Sequence, residues 1–282
     1  MAALHAMIRT LANRFPGRLP EGRGGLFFRM AFDDELLAGG AVRAVICDIY
    51  GTLLHVGPPS ADAAERWRKG CQEITGQCVA MEEFDERCVE AVKAQHAARR
   101  GAGEPFPEVD WPAVIRASIP ALDYTRTLLL SSLHAACRRV CSAMPHAVEA
   151  LASLRAAGIV TGIASNAQHY TRDEMTAAGF ALTDFHPRLC FLSGDHGLAK
   201  PSPRVFALLT ERLAALGIAP HETLMIGDSV ENDIAPAKAA GWRTCLVDEA
   251  VWPALAGSHP HVGVREIAVH HPPVDVGLEV HE

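Results

Sequence analysis

A chain of 282 residues, 49% hydrophobic and 21% charged, has the make-up of an ordinary globular protein and is long enough for one large domain or two modest ones. A formal charge of -7 without a Lys/Arg run argues against a nucleic-acid backbone binder, and 6% aromatics leave little for stacking bases. No stretch approaches the ~20 apolar residues of a membrane span, so neither nucleic acid nor membrane is an expected partner.

Residues 1–40 read as a plain N-terminal extension. Arg9, Arg14 and Arg18 without an acid give residues 1–20 a faint bias toward a transit peptide, the lack of a continuous apolar run argues against a secretory signal, and an extension with one short helix is the better reading. Gly39 and Gly40 punctuate before the first strand, Ala41–Cys47, which is apolar without alternation, as a strand buried on both faces should be. It enters Asp48 and then Ile49-Tyr50-Gly51-Thr52. Taken alone, Asp48 reads equally well as a helix N-cap.

After the turn at Gly57-Pro58-Pro59-Ser60, where Ser60 is a candidate N-cap, the chain changes character. Helices are predicted over 61–75, over 81–99 through Met81, Phe84, Cys88, Val89 and Val92, over Trp111–Ile119, and from Asp123 to Val140. This gives an all-helical insertion, 58–143, over the strand end that carries Asp48. Its His96, Arg99, Arg100 and His134 are able to reach an anionic substrate, and solvated helix faces explain them equally well.

A different rhythm follows. A helix His146–Ala157 leads to a strand Ile159–Ala164 ending at Ser165-Asn166, and a helix Thr171–Ala178 leads to a short strand Leu189–Leu192. Lys200-Pro201 precedes a helix capped by Ser202 and started by Pro203, which closes at Gly217. A strand Thr223–Ile226 runs into Gly227-Asp228-Ser229, a helix spans Glu231–Ala240, and Arg243–Val247 is a last strand. This alternation predicts an α/β fold with a doubly wound parallel sheet, built from residues 41–57 and 144–248. The tail, 249–282, carries His259, His261, His270 and His271 without regular ligand spacing and reads as loosely packed. The eight cysteines include no Cys-x-x-Cys; Cys137 and Cys141 lack further soft ligands, and free thiols fit a reducing cytoplasm.

Parallel strands bring their carboxyl ends to one edge, so Asp48, Ser165-Asn166, Lys200, Asp228 and Asp233 converge. Carboxylates brought close together repel unless a cation intervenes, and hard oxygen ligands at a phosphate site suit Mg²⁺. Lys200 is able to hold the nucleophile and a phosphoryl oxygen together, and Ser165 to bond another.

The four segments Asp48-Ile49-Tyr50-Gly51-Thr52, Ser165-Asn166, Lys200-Pro201 and Gly227-Asp228-Ser229-Val230-Glu231-Asn232-Asp233 resemble, in order and spacing, the motifs of the haloacid dehalogenase-like hydrolases. The resemblance covers roughly residues 43–248, and the helical insertion is similar to that family's mobile cap. It implies that Asp48 is a nucleophile forming a covalent aspartyl intermediate. It implies that Mg²⁺ binds Asp48, the backbone carbonyl of Tyr50 and Asp228, with Asp233 ligating it or orienting water around it. Ser165, Asn166 and Lys200 belong to the same catalytic set, with Ser165 and Lys200 holding the phosphoryl oxygens of a small phosphorylated substrate.

Tyr50 departs from the phosphatase pattern, which has an Asp there to protonate the leaving alkoxide and activate water. A phenol of pKa ~10 is a poor base at neutral pH. Tyr at this place is a feature of the family's 2-haloacid dehalogenases, whereas Asp228 resembles the magnesium-binding fourth motif that those enzymes lack. Three readings result. The preferred one is a Mg²⁺-dependent phosphatase; the others are a metal-independent 2-haloacid dehalogenase and a catalytically weak scaffold that binds a phosphorylated ligand or protein. An intact Asp48 counts against the last.

Overall fold

The protein is represented by a computed structural model that describes residues 42–145 and 147–247. The N-terminal extension, His146 and the histidine-bearing tail lie outside those residues. The strands are β1 (Ala44–Cys47), β2 (Leu54–Gly57), β3 (Val140–Ala143), β4 (Val160–Ser165), β5 (Cys190–Leu192), β6 (Thr223–Gly227) and β7 (Arg243–Leu246). Five of them form a sheet in the order β5-β4-β1-β6-β7, and every pairing in it is parallel.

β1 is the middle strand, and all four of its residues are buried. Its unbroken apolar run follows from that position, because neighbours cover both faces. Successive side chains point to opposite faces. Val45 and Cys47 join one core with Leu151 and Leu154 of the helix Ala147–Ala156 and Met175 of the helix Thr171–Ala177. Ala44 and Ile46 join a second core with Val205, Phe206, Leu209 and Leu213 of the helix Pro203–Ala214. Helices on both faces of a parallel sheet make this the doubly wound α/β fold that the alternation predicts.

The helical insertion consists of α1 (Ala63–Thr75), α2 (Met81–Gly101), α3 (Trp111–Ser118) and α4 (Tyr124–Arg138). The Asp110 side chain accepts from Ala113 N at 2.9 Å and that of Asp123 from Arg126 N at 2.8 Å, which caps α3 and α4. The four helices bury a core of their own around Trp67, Phe84, Ile115 and Leu130. Truncating Leu130 to Ala there costs about 2–5 kcal/mol, the usual range for a buried leucine. His134 is not on a solvated face. It is buried, its ring lies 5.9 Å from Trp111 in a stacked arrangement, and its Nε2 lies 2.6 Å from Asp85 Oδ1.

Several elements differ from the sequence expectation. The insertion is framed by an antiparallel ribbon of β2 and β3, with Leu54 opposite Ala143 and Gly57 opposite Val140. Neither strand was expected: each has four residues, too few for a pattern, and each exists only because a distant partner supplies its hydrogen bonds. Helix α4 accordingly ends at Arg138 rather than Val140. The expected helix Glu231–Ala240 is a π-turn, Val230–Ile234, followed by a short α-helix, Ala235–Ala239. Ile234 N donates to the Ser229 carbonyl at 3.2 Å, the i→i−5 bond of a π-turn, and Asp233 Oδ2 turns back to accept from Ser229 N at 3.1 Å. Ser202 precedes Pro203 as expected, but its side chain makes no capping bond. Ser60 stands two residues before the N-cap, which is Asp62.

The loop between α2 and α3 docks on the α/β core. Pro107 forms an antiparallel bridge with Leu198, Arg99 Nη1 donates to the carbonyl of Gly197 at 3.0 Å, and Gln168 Nε2 donates to Glu108 Oε1 at 3.0 Å. Arg99 therefore serves this junction rather than a solvated face. Among the described residues no helix is long and apolar enough to cross a membrane.

Candidate active site

The carboxyl ends of β1, β4 and β6 carry Asp48, Ser165 and Asp228, and the chain leaving β5 supplies Lys200. Because β1 is flanked by β4 and β6, Asp48 occupies the centre of this edge. Lys200 Nζ donates to Asp48 Oδ1 at 2.8 Å and also bonds Asp233 Oδ1. The Lys200 side chain is 2% exposed and that of Asp233 1%, so this ammonium and its partners are taken out of water together. Burial opposes the charge on Lys200, yet Asp48 and Asp233 hold its pKa above the ordinary value.

Asp48, Asp228 and Asp233 each bring one oxygen into a group whose members all lie within 4.8 Å of one another. Two glycines make room for it. Gly51 adopts φ +77°, and a Cβ built there would fall on the Asp228 carboxylate; a Cβ on Gly227 would fall on that of Asp233. Burial, then Asp48 and Asp233, push the Asp228 carboxyl up to about 7. Burial raises Asp233 as well and outweighs the pull of Lys200. Three carboxylates against one ammonium leave a formal excess of two negative charges. A dication of oxygen-loving type fits that set.

Asn166 fixes Lys200 rather than facing the mouth directly. Its Oδ1 accepts from the Lys200 backbone N–H at 2.8 Å and its Nδ2 donates to the Lys200 carbonyl at 2.9 Å. Ser165 is buried at the end of β4, two residues past Ile163, which pairs with Cys47. On the nucleophile's own loop the Thr52 hydroxyl is buried without a hydrogen-bond partner.

Tyr50 is the member whose surroundings the sequence did not reveal. Its hydroxyl lies 2.5 Å from Glu174 Oε2 and 2.7 Å from Thr171 Oγ1, and it accepts from Arg139 Nη2 at 2.7 Å. Arg139 also donates to both oxygens of Glu174, at 2.9 and 3.0 Å, and its guanidinium carbon sits 4.5 Å from the Tyr50 ring centre. Burial, aided by Glu174, raises the Tyr50 pKa far above that of a free phenol, although Arg139 works the other way. Arg139, Thr171 and Glu174 stand 89, 121 and 124 residues from Tyr50 in sequence, so spacing could not have announced them.

The haloacid dehalogenase-like hydrolase family matches this chain over residues 42–241. The phosphoserine phosphatase of Thermus thermophilus is 32% identical over 124 residues, covering 44% of this chain and 47% of its own length. In that alignment the chain thus spans about half of its relative. The phosphoglycolate phosphatases of Nitrosospira multiformis and Thiobacillus denitrificans are 28% and 31% identical, each over 71% of this chain and 80% of their own. With the family match spanning the insertion and the α/β core as far as the turn before β7, the chain belongs to the haloacid dehalogenase-like hydrolases.

Proposed function

We propose that this hydrolase is a Mg²⁺-dependent phosphatase of small phosphorylated substrates, working through an aspartyl-phosphate on Asp48. The observation that carries the reading is the triad Asp48, Asp228 and Asp233, whose oxygens gather within 4.8 Å of one another beside a single ammonium, Lys200. Displacement of halide from carbon has no use for such a set, whereas a phosphoryl group needs its own charge offset. The two phosphoglycolate phosphatases and the phosphoserine phosphatase among its relatives point the same way.

Asp48 and Asp228 would hold the metal with the backbone carbonyl of Tyr50. Both oxygens of Asp233 are engaged, one by Lys200 and one by Ser229 N, so Asp233 would orient rather than ligate. Bound there, Mg²⁺ would neutralise charge on the phosphoryl oxygens. Lys200 fixes one oxygen of Asp48 and leaves the other to attack phosphorus. Ser165 and Lys200 would bond the equatorial oxygens, acting through charges already in place. The helical insertion, docked through Glu108 and Arg99, would close the site against water.

Purified protein supplied with p-nitrophenyl phosphate and Mg²⁺ should release nitrophenol, and both EDTA and Asp48→Asn should abolish the release. Halide freed from 2-chloropropionate without metal would overturn the reading in favour of a dehalogenase. Binding of phosphorylated ligands with neither activity would overturn it in favour of a scaffold.

A further inference from the structure

Phosphoryl transfer to Asp48 expels a leaving group with its bonding electron pair, and an alkoxide leaves readily only if a proton reaches it. The groups gathered at Asp48 are poor sources of that proton. Lys200 is held by Asp48 and Asp233, and Asp228, which would hold the metal together with Asp48, has no proton to give once it does so. The aliphatic hydroxyls of Thr52 and Ser165 are too weakly acidic. Tyr50 carries the phenol on the nucleophile's own loop, and that phenol is committed elsewhere.

A phenol has one proton to give and two lone pairs to receive with. Here the proton goes to Glu174 Oε2, 2.5 Å away, and the oxygen receives from Arg139 Nη2 and Thr171 Oγ1, each at 2.7 Å. The partners are fixed in turn: Arg139 and Glu174 form a two-pronged ion pair whose side chains are 18% and 14% exposed. Turning the hydroxyl toward a departing alkoxide would leave a half-buried carboxylate and guanidinium short of a partner.

We propose that the site takes activated phosphoryl donors, acyl phosphates and phosphoanhydrides, in preference to phosphate monoesters of aliphatic alcohols. The proposal rests on the phosphatase reading above and narrows its substrate class. In the first step an Asp48 oxygen bonds phosphorus, the bond from phosphorus to the bridging oxygen breaks, and carboxylate or phosphate departs as a stable anion without a proton. In the second step water oxygen bonds phosphorus and the electron pair returns to Asp48. One water hydrogen stays on the released phosphate and the other passes to solvent as a proton.

The test is phosphate release by the full chain with Mg²⁺ from acetyl phosphate, p-nitrophenyl phosphate and glycerol phosphate, each corrected by the Asp48→Asn protein. The expected kcat/KM for acetyl phosphate exceeds that for glycerol phosphate by about 100-fold or more, the scale on which a positioned acid acts. Tyr50→Asp, where it folds, should shrink that ratio; because a new carboxylate beside Glu174 can unfold the cluster, the wild-type ratio suffices by itself. A wild-type ratio within about tenfold, or a ratio unchanged in folded Tyr50→Asp, overturns the substrate class and leaves the phosphatase reading intact. Absence of Asp48-dependent release from all three removes both.

Discussion

The carboxamide of Asn166 clasps both backbone polar groups of Lys200, accepting from its N–H at 2.8 Å and donating to its carbonyl at 2.9 Å. A residue at the end of one strand thereby sets the backbone from which the buried ammonium reaches Asp48. Asn166→Ala should lower kcat by about 10- to 100-fold, because a displacement near 1 Å at a catalytic centre is worth that much. Thermal stability should fall by only about 1–3 kcal/mol, the cost of two unpaired backbone groups. Steady-state kinetics beside a urea titration checks both, and an equal loss in a variant remote from Lys200 would show that Asn166 serves only the fold.

Asp228 gives a pH signature in metal-free protein. Its carboxyl titrates near 3.8 in an unfolded chain and near 7 in the fold, so between those values the folded chain holds a proton that the unfolded chain has lost. Stability contributed here is present below about pH 4 and is lost as pH rises through about 7, and the raised Asp233 acts in the same direction. With EDTA present, Tm should therefore decline from pH 5 to pH 8, less steeply in Asp228→Asn. Saturating Mg²⁺ should raise Tm most at the alkaline end, since metal takes up the ionised form; about 2.7 kcal/mol is expected at a hundredfold excess over Kd. Calorimetry across pH with and without Mg²⁺ decides it. A Tm indifferent to Mg²⁺ at pH 8 would count against a metal site.

Glu108 tests the junction between the insertion and the core. Burial raises its carboxyl pKa against the pull of bonds from Ser193, Val109 N and Gln168. Glu108→Gln keeps an oxygen for Gln168 and Val109 N and removes a buried charge, so stability should stay within about 1 kcal/mol. Glu108→Ala leaves the Val109 amide without its 2.6 Å partner and should cost about 1–3 kcal/mol. Hydrogen exchange should quicken across 104–109 in the alanine variant alone. Equal exchange in both would mean that the Pro107–Leu198 bridge holds the loop without Glu108.

The polar residues at the strand ends were legible because chemistry on a parallel sheet collects at one edge. Asp48, Lys200, Asp228 and Asp233 were expected together, and the structure brings them together. What was not legible depends on partners remote in sequence. Nothing around Arg139 or Glu174 marks them as companions of Tyr50, and β2 and β3 exist only as each other's complement. The π-turn escaped for a different reason: Ala-rich sequence after Asp233 favours helix, and composition does not mark the bond from Ile234 N to the Ser229 carbonyl. His134 fits neither of the two readings its sequence leaves open, a reach toward substrate or a solvated face, because Asp85 and Trp111 give it a place inside.

The ribbon of β2 and β3 has an evolutionary consequence. Gly57 and Val140 face each other across it, so everything between them leaves and rejoins the core at one spot. An excursion anchored in this way imposes no span on its host: it can lengthen, shorten or be exchanged for another module while Asp48, Ser165, Lys200 and Asp228 keep their places on the sheet. Selection is then free to rewrite the insertion without disturbing the strand ends. The exception is Arg139, which sits on the seam and couples any replacement to Tyr50.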